Sequence, residues 1–179
     1  MSAGDRVGPV PAVDFDTAYV QNFDFACRSL RLLGVAPHSL EDAAQDVFGI
    51  VSRKLDEFAG EASLRTWIFA IVQRVAANHR RTQRRKQRPL QPFVEEPATG
   101  NDASPEAHLE AARAAAKIEA FCEGLDEGHR AVFVLGLIEE VPAREIALLL
   151  GIPMFTVYSR IRSLRARLER FLEETPRHP

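Results

Sequence analysis

Residues 142–172 read PAREIALLLGIPMFTVYSRIRSLRARLERFL, and their spacing decides how the chain folds. Ile146, Ala147 and Leu150 fall on one side of a short helix, and Gly151 interrupts it. A longer helix begins near Pro153, with Val157, Ile161, Leu164 and Leu168 at intervals of three and four. Gly151 can take the positive φ of a tight turn between helices, Ala147 is small where two helices must cross closely, and Ile152 with Val157 can plug the gap. This is a helix-turn-helix pattern. If the four apolar residues face inward, Tyr158, Ser159, Arg162, Ser163 and Arg165 project outward. Arginine pairs bidentately with guanine, hydroxyls reach bases or phosphates, and the free amides between Met154 and Thr156 suit a phosphate. The competing reading is an amphipathic helix whose basic face is simply solvated.

Upstream of this motif, Asp126 can cap a helix whose Ala131, Val132, Leu135 and Ile138 form one face. Before that, an Ala-rich helix opens at Ser104-Pro105, with proline at the first helical position, and runs to Leu125. Residues 89–105 (PLQPFVEEPATGNDASP) show neither helical nor strand periodicity and read as a flexible linker. On its far side, Phe15, Tyr19, Phe23, Cys27 and Leu30 make one helical stripe, ended by Gly34 and Pro37. Ser39 followed by Asp42 resembles a capping box, and Leu40, Ala43, Val47, Ile50, Val51, Leu55 and Phe58 continue a second apolar face. Gly60 breaks it. Ser63 can cap a third helix with Leu64, Trp67, Ile68, Ile71, Val72 and Val75 on the core side and Phe69, Gln73 and Asn78 on the other flank. The fold class is therefore all-α: two small helical domains, a bundle at 13–88 and a helix-turn-helix domain at 106–172, joined by the linker at 89–105.

The chain has 179 residues, 46% hydrophobic and 27% charged, which marks it as globular rather than disordered. No apolar run approaches the roughly 20 residues of a membrane-spanning helix, and Met1 to Val13 lacks the apolar stretch of a signal peptide. A soluble cytoplasmic protein with no membrane insertion is expected. Cys27 and Cys122 lie in no CxxC pair and read as reduced, buried small hydrophobes. The histidines are scattered singly, with no HExxH, phosphate-binding loop or GxSxG motif. Glu95-Glu96, Glu139-Glu140 and Glu173-Glu174 are adjacent in sequence, so each pair points apart and reads as solubilising. No catalysis, metal or cofactor is expected.

The net charge of −2 hides an asymmetry. From Arg74 to Arg88 there are seven basic residues and no acid, whereas Pro89 to Ala112 holds five acids and no Lys or Arg. A second basic stripe comprises Arg160, Arg162, Arg165, Arg167 and Arg170. Residues 1–88 carry 13 basic and 10 acidic side chains, and residues 89–179 carry 10 and 15. The basic stripes suggest a polyanion partner. A module that holds DNA alone is usually basic as a whole, with a pI above about 9, so an acidic C-terminal domain needs help to stay on DNA.

Two stretches together resemble a known family. Residues 42–81, DAAQDVFGIVSRKLDEFAGEASLRTWIFAIVQRVAANHRR, are similar to region two of the extracytoplasmic-function (ECF) sigma factors of bacterial RNA polymerase. Residues 121–171 resemble region four. The resemblance implies a transcription-initiation factor that binds RNA polymerase core, reads promoter DNA and melts it. It implies docking of Asp42, Gln45, Asp46, Val47 and Phe48 on the clamp of the largest catalytic subunit, and region-four contact with the flap of the second-largest. Phe58, Gly60, Glu61 and Ser63 would capture a flipped minus-ten base, and Arg65, Trp67, Gln73, Arg74 and Asn78 would grip the separated strand. Thr156, Tyr158, Ser159, Arg162 and Ser163 would read the minus-thirty-five element, with Arg160 and Arg165 on phosphates. An anti-sigma factor is a further implied partner. The chain departs from the family at Phe155, which either packs against the turn or touches a thymine methyl, and near Glu140, where many members carry Gly. Two other readings compete: a helix-turn-helix regulator that acts on duplex DNA without polymerase, and a helical adaptor whose basic faces meet acidic proteins.

Overall fold

The computed structural model describes residues 13–86 and 105–174. Among them every regular element is helical: α1 (Phe15–Leu32), α2 (Leu40–Lys54), α3 (Leu64–Lys86), α4 (Pro105–Glu123), α5 (Glu127–Phe133), α6 (Ala143–Leu150) and α7 (Met154–Glu174). The expected linker lies outside the described residues, apart from Pro105, which opens α4.

Helices α1, α2 and α3 pack on one another around Phe25, Leu30, Val47, Val51, Ile68, Phe69 and Val72, each at most 1% exposed. The inner face of α1 is not the expected stripe. Ala18, Phe25, Ala26, Ser29 and Leu30 point inward, while Tyr19 is 39% exposed. Small residues let neighbouring helices approach closely, so Ala18, Ala26 and Ser29 share the buried face with Phe25 and Leu30, and the rings of Phe15, Tyr19 and Phe23 lie at its edge. There Tyr19 meets Phe48 edge-on at 4.7 Å, beside Phe15 and Phe23. Ser39 stands before α2 without a side-chain capping bond, because Pro37–Ser39 forms a 3-10 turn that feeds the helix directly. Ser63 does cap α3, its Oγ accepting from the Thr66 amide at 3.2 Å. Phe69 is fully buried rather than on the outer flank, so the apolar arc of α3 is wider than one stripe.

In the C-terminal half, Asp126 caps α5 by accepting from the His129 amide at 3.0 Å. Ala131 to Leu135 are all fully buried, so this helix has no outer face in that stretch and forms the centre of the half. Val134–Ile138 continue it as a π-helical turn, with the Glu139 amide donating to the Val134 carbonyl at 2.9 Å. Glu140 follows at φ 51°, a left-handed conformation in a non-glycine residue. Gly151 ends α6 at φ 63°, as the turn requires. Val157 and Leu164 of α7 are fully buried, with Ile161 and Leu168 packed against the core.

The two halves touch. Helix α4 meets α1 where Arg31 Nε lies 2.5 Å from Glu119 Oε1, and α6 lies along the start of α3. Arg130 of α5 donates to the Leu33 carbonyl at 3.3 Å.

Candidate nucleic-acid and polymerase interfaces

The outer face of α7 presents the residues that periodicity selected. Tyr158, Ser159, Arg162, Ser163 and Arg165 are exposed, and Thr156 and Arg160 are half-buried. Phe155 is 80% exposed, so of its two roles packing against the turn is the one the geometry does not support. With Met154 and Tyr158, 49% and 56% exposed, it gives the first turns of this helix an apolar tip above a basic shaft.

Helix α3 and the loop before it form the second face. Phe58 and Trp67 lean together at 5.6 Å between ring centroids and, with Ala59, Gly60, Glu61 and Ala62, line a groove of about 320 Å³. Its opposite wall is Leu148 and Leu149 of α6. Gly60 holds φ 71° in that loop. Arg65, Arg74 and Asn78 are exposed and Gln73 is half-buried. Arg65 also lies over the Phe25 ring, 5.0 Å from its centroid.

On α2, Asp42, Gln45 and Asp46 are exposed, and His79 Nε2 lies 2.9 Å from Asp46 Oδ2, tying α2 to α3. Val47 and Phe48 depart from expectation. They are 0% and 4% exposed, turned into the bundle because their spacing with Ala43, Ala44 and Val51 places them on its inner face. Neither side chain is available at the surface, which leaves the polar Asp42, Gln45 and Asp46 as the exposed members of that set.

Glu139, read above as one of a solubilising pair, and Glu145 both bind residues of the N-terminal half. Glu139, its side chain 4% exposed, accepts from Arg28 Nε and Nη2 at 3.1 Å and from Arg65 Nη1 at 3.4 Å. Its neighbour Glu140 is exposed, so the pair does diverge, but only one member is solvated. Glu145 of α6 accepts at a single oxygen from the Ser63 amide at 3.1 Å, the Ser63 hydroxyl at 2.7 Å and the Thr66 hydroxyl at 2.6 Å. Partial burial would raise the pKa of this carboxyl, but the bonds from Thr66 and Ser63 outweigh burial and hold it below the ordinary range. No local signal marked Glu139 or Glu145, since their partners lie more than seventy residues away in sequence.

Both cysteines are free, and burial first of all pushes the Cys122 thiol up to about 12. Among the described residues no helix is long and apolar enough to cross a membrane.

Residues 19–86 match the family model Sigma-70 region 2. The ECF RNA polymerase sigma factor RpoE of Cereibacter sphaeroides is 32% identical over 142 residues, spanning 78% of this chain and 75% of that one. This chain belongs to the ECF RNA polymerase sigma factors. As an ECF sigma factor it serves promoter-directed transcription initiation by RNA polymerase. The RNA polymerase sigma factor CnrH of Cupriavidus metallidurans is 27% identical over 156 residues, covering 82% of this sigma factor and 80% of its own length. The structure of CnrH in complex with the cytosolic domain of CnrY superposes with a TM-score of 0.65 at 25% identity, covering 90% of this sigma factor and 89% of that chain. The sigma factor RpoE of Bartonella quintana, solved with the anti-sigma factor NepR, shares the fold at a TM-score of 0.67 and 19% identity, covering 89% and 97%.

Proposed function

We propose that the two faces divide promoter recognition between them. The region-two domain, 13–88, melts and holds the minus-ten element, and the region-four domain, 106–172, reads the minus-thirty-five element, with 89–105 as the connection. The observation that carries this reading is the groove between Phe58 and Trp67: an aromatic pair beside a glycine-bearing loop, next to the exposed Arg65, Arg74 and Asn78. A base pulled from the stack needs such a wall, since unstacking costs a few kcal/mol that stacking on aromatic rings offsets. Phe58, Gly60, Glu61, Ser63 and Trp67 shape the base site, and Arg65, Gln73, Arg74 and Asn78 follow the strand. On α7, Tyr158, Ser159, Arg162 and Ser163 face base edges, while Thr156, Arg160 and Arg165 serve phosphates.

The exposed Asp42, Gln45 and Asp46 form the surface for the polymerase clamp. The factor acts in the cytoplasm, performs no catalysis of its own, and takes a protein partner that restrains it. That last role is supported by the complex in which CnrH was solved. The test is run-off transcription with purified core on promoter fragments selected from the protein's own genome. Specific starts that need this chain are the expected result, and a lack of any start would overturn the reading. Tight operator binding by the isolated chain, indifferent to core, would favour a polymerase-free regulator instead.

A further inference from the structure

The Ser63 amide and hydroxyl, the Thr66 hydroxyl and the Arg65 guanidinium all stand at the start of α3, on the face proposed for the unpaired strand. Each is engaged by a carboxylate from the C-terminal half. Amides at a helix start together with a guanidinium make an anion cradle, suited to a strand phosphate. Here Glu145 fills the helix start and Glu139 takes Arg65. Leu148 and Leu149, on the same helix as Glu145, wall the groove beside Phe58 and Trp67. One short helix thus sets an anion on the phosphate positions and apolar side chains against the base position.

We propose that Glu139 and Glu145 are internal mimics of two strand phosphates, and that the contact between the halves is an autoinhibitory latch that must open before α3 can take DNA. This rests on the function proposed above and adds its regulation. Three features favour a latch over a permanent joint. Arg28 and Arg65 are about half exposed, so water can reach the cationic side of each pair with the buried Glu139 carboxylate and replace the arginine when the halves part. The cations on the N-terminal side and the carboxylates on the C-terminal side follow the charge division of the two halves. Glu139 stands between the π-turn Val134–Ile138 and Glu140, whose left-handed φ of 51° is an uncommon conformation for a residue with a side chain.

Arg28 gives the decisive test, because it touches Glu139 and has no place in the strand site. Binding of the full chain to a fluorescein-labelled single strand of twenty thymidines is followed by anisotropy at fixed salt, with circular dichroism to confirm each fold. Arg28→Ala removes a positive charge, yet it should tighten binding by at least about five-fold, the low end of ordinary coupling between sites. Glu145→Gln should act in the same direction and expand the molecule in small-angle scattering, while Arg65→Ala should weaken binding. If Arg28→Ala does not fold, Glu145→Gln carries the test alone. Equal or weaker binding by these variants overturns the latch. If core-dependent transcription still occurs in that case, the proposed function survives without it. If the variants gain strand binding but core never initiates, the latch stands and the sigma role of the site falls.

Discussion

The Arg80 guanidinium donates to the carbonyl of Leu33, the residue that closes α1, and pairs with Glu127 at 2.9 Å. Arg130 reaches the same carbonyl from the other half of the molecule. Between them Gly34 turns at φ 86°, where an added Cβ would lie 3.1 Å from Arg130 Nη1. Arg80 belongs by sequence to the basic run offered to DNA, but its side chain is only 18% exposed and its donors are engaged within the protein.

Arg80 and the neighbouring Arg81 should therefore behave oppositely. Arg80→Ala removes a charge-assisted bond to a half-buried carbonyl and should lower unfolding free energy by about 1.5–3 kcal/mol. The salt dependence of promoter binding should change little. Arg81 is exposed, bonded only to Asn78 of its own helix among the described contacts. Arg81→Ala should leave stability within about 0.5 kcal/mol and, if it meets a strand phosphate, reduce the salt slope by about 0.7. Urea titration and salt-dependent binding of the holoenzyme measure the two quantities. A stability loss at Arg81 with none at Arg80 would contradict the assignment.

Glu140 is a second position where backbone and side chain disagree. At φ 51° a side chain with a Cβ costs about 1–2 kcal/mol that glycine avoids, less the extra freedom glycine gains in the unfolded chain. Glu140→Gly should raise the thermal midpoint, corresponding to about 1 kcal/mol, whereas Glu140→Ala should give no gain. Calorimetry of the two variants decides it; equal midpoints would mean that the left-handed turn carries no strain.

What could be read from the sequence follows from where each partner lies. The outer face of α7 was legible because Val157 and Leu164 pack against one core, so a simple period assigns the remaining residues to solvent. The turn at Gly151 was legible because few residues take positive φ readily. The face of α1 was misjudged because rings at three- and four-residue spacing resemble a core stripe, whereas close helix contact selected Ala18, Ala26 and Ser29. The resemblance assigns Val47 and Phe48 to the polymerase interface, whereas the three- and four-residue spacing that puts Val47 on the apolar face of α2 predicts its burial. Glu139 was illegible, since its Arg28 and Arg65 partners stand 111 and 74 residues away and nothing nearby distinguishes it from a solvated acid.

Phe155, exposed at the tip of α7, should contact a thymine methyl in the upstream element, the apolar feature that the major groove offers. Replacing thymine by uracil removes that methyl and nothing else. On an upstream element selected by the holoenzyme, one such replacement should weaken wild-type binding by about 0.8 kcal/mol, roughly four-fold, and should leave Phe155→Ala unaffected. Arg162→Ala, in contrast, should cost about 1–3 kcal/mol of discrimination at one base pair, independent of thymine methyls. If uracil weakens both proteins equally at every position, Phe155 reads no methyl.

Glu145 makes the contact between the halves sensitive to acid. Its pKa is lower in the folded chain than the ordinary value of 4.5, despite partial burial, because the Thr66 and Ser63 donors favour the charged form. A carboxyl of this kind adds stability that is complete above its unfolded pKa and is lost as the pH falls through the folded one. The contribution is therefore intact at neutral pH and disappears under acid conditions. Asp14 and Asp126, lowered by their capping bonds to Thr17 and His129, are lost in the same window, so wild-type acid sensitivity alone identifies no single group. Comparison with Glu145→Gln isolates it. The gap in thermal midpoint between wild type and Glu145→Gln should be widest near neutrality and should close only as the pH falls below 4.5 and through the lowered folded pKa, where the wild-type side chain also becomes uncharged. A gap of constant size from neutral to acid would mean that the charge on Glu145 contributes nothing and that its hydrogen bonds act as those of a neutral amide would.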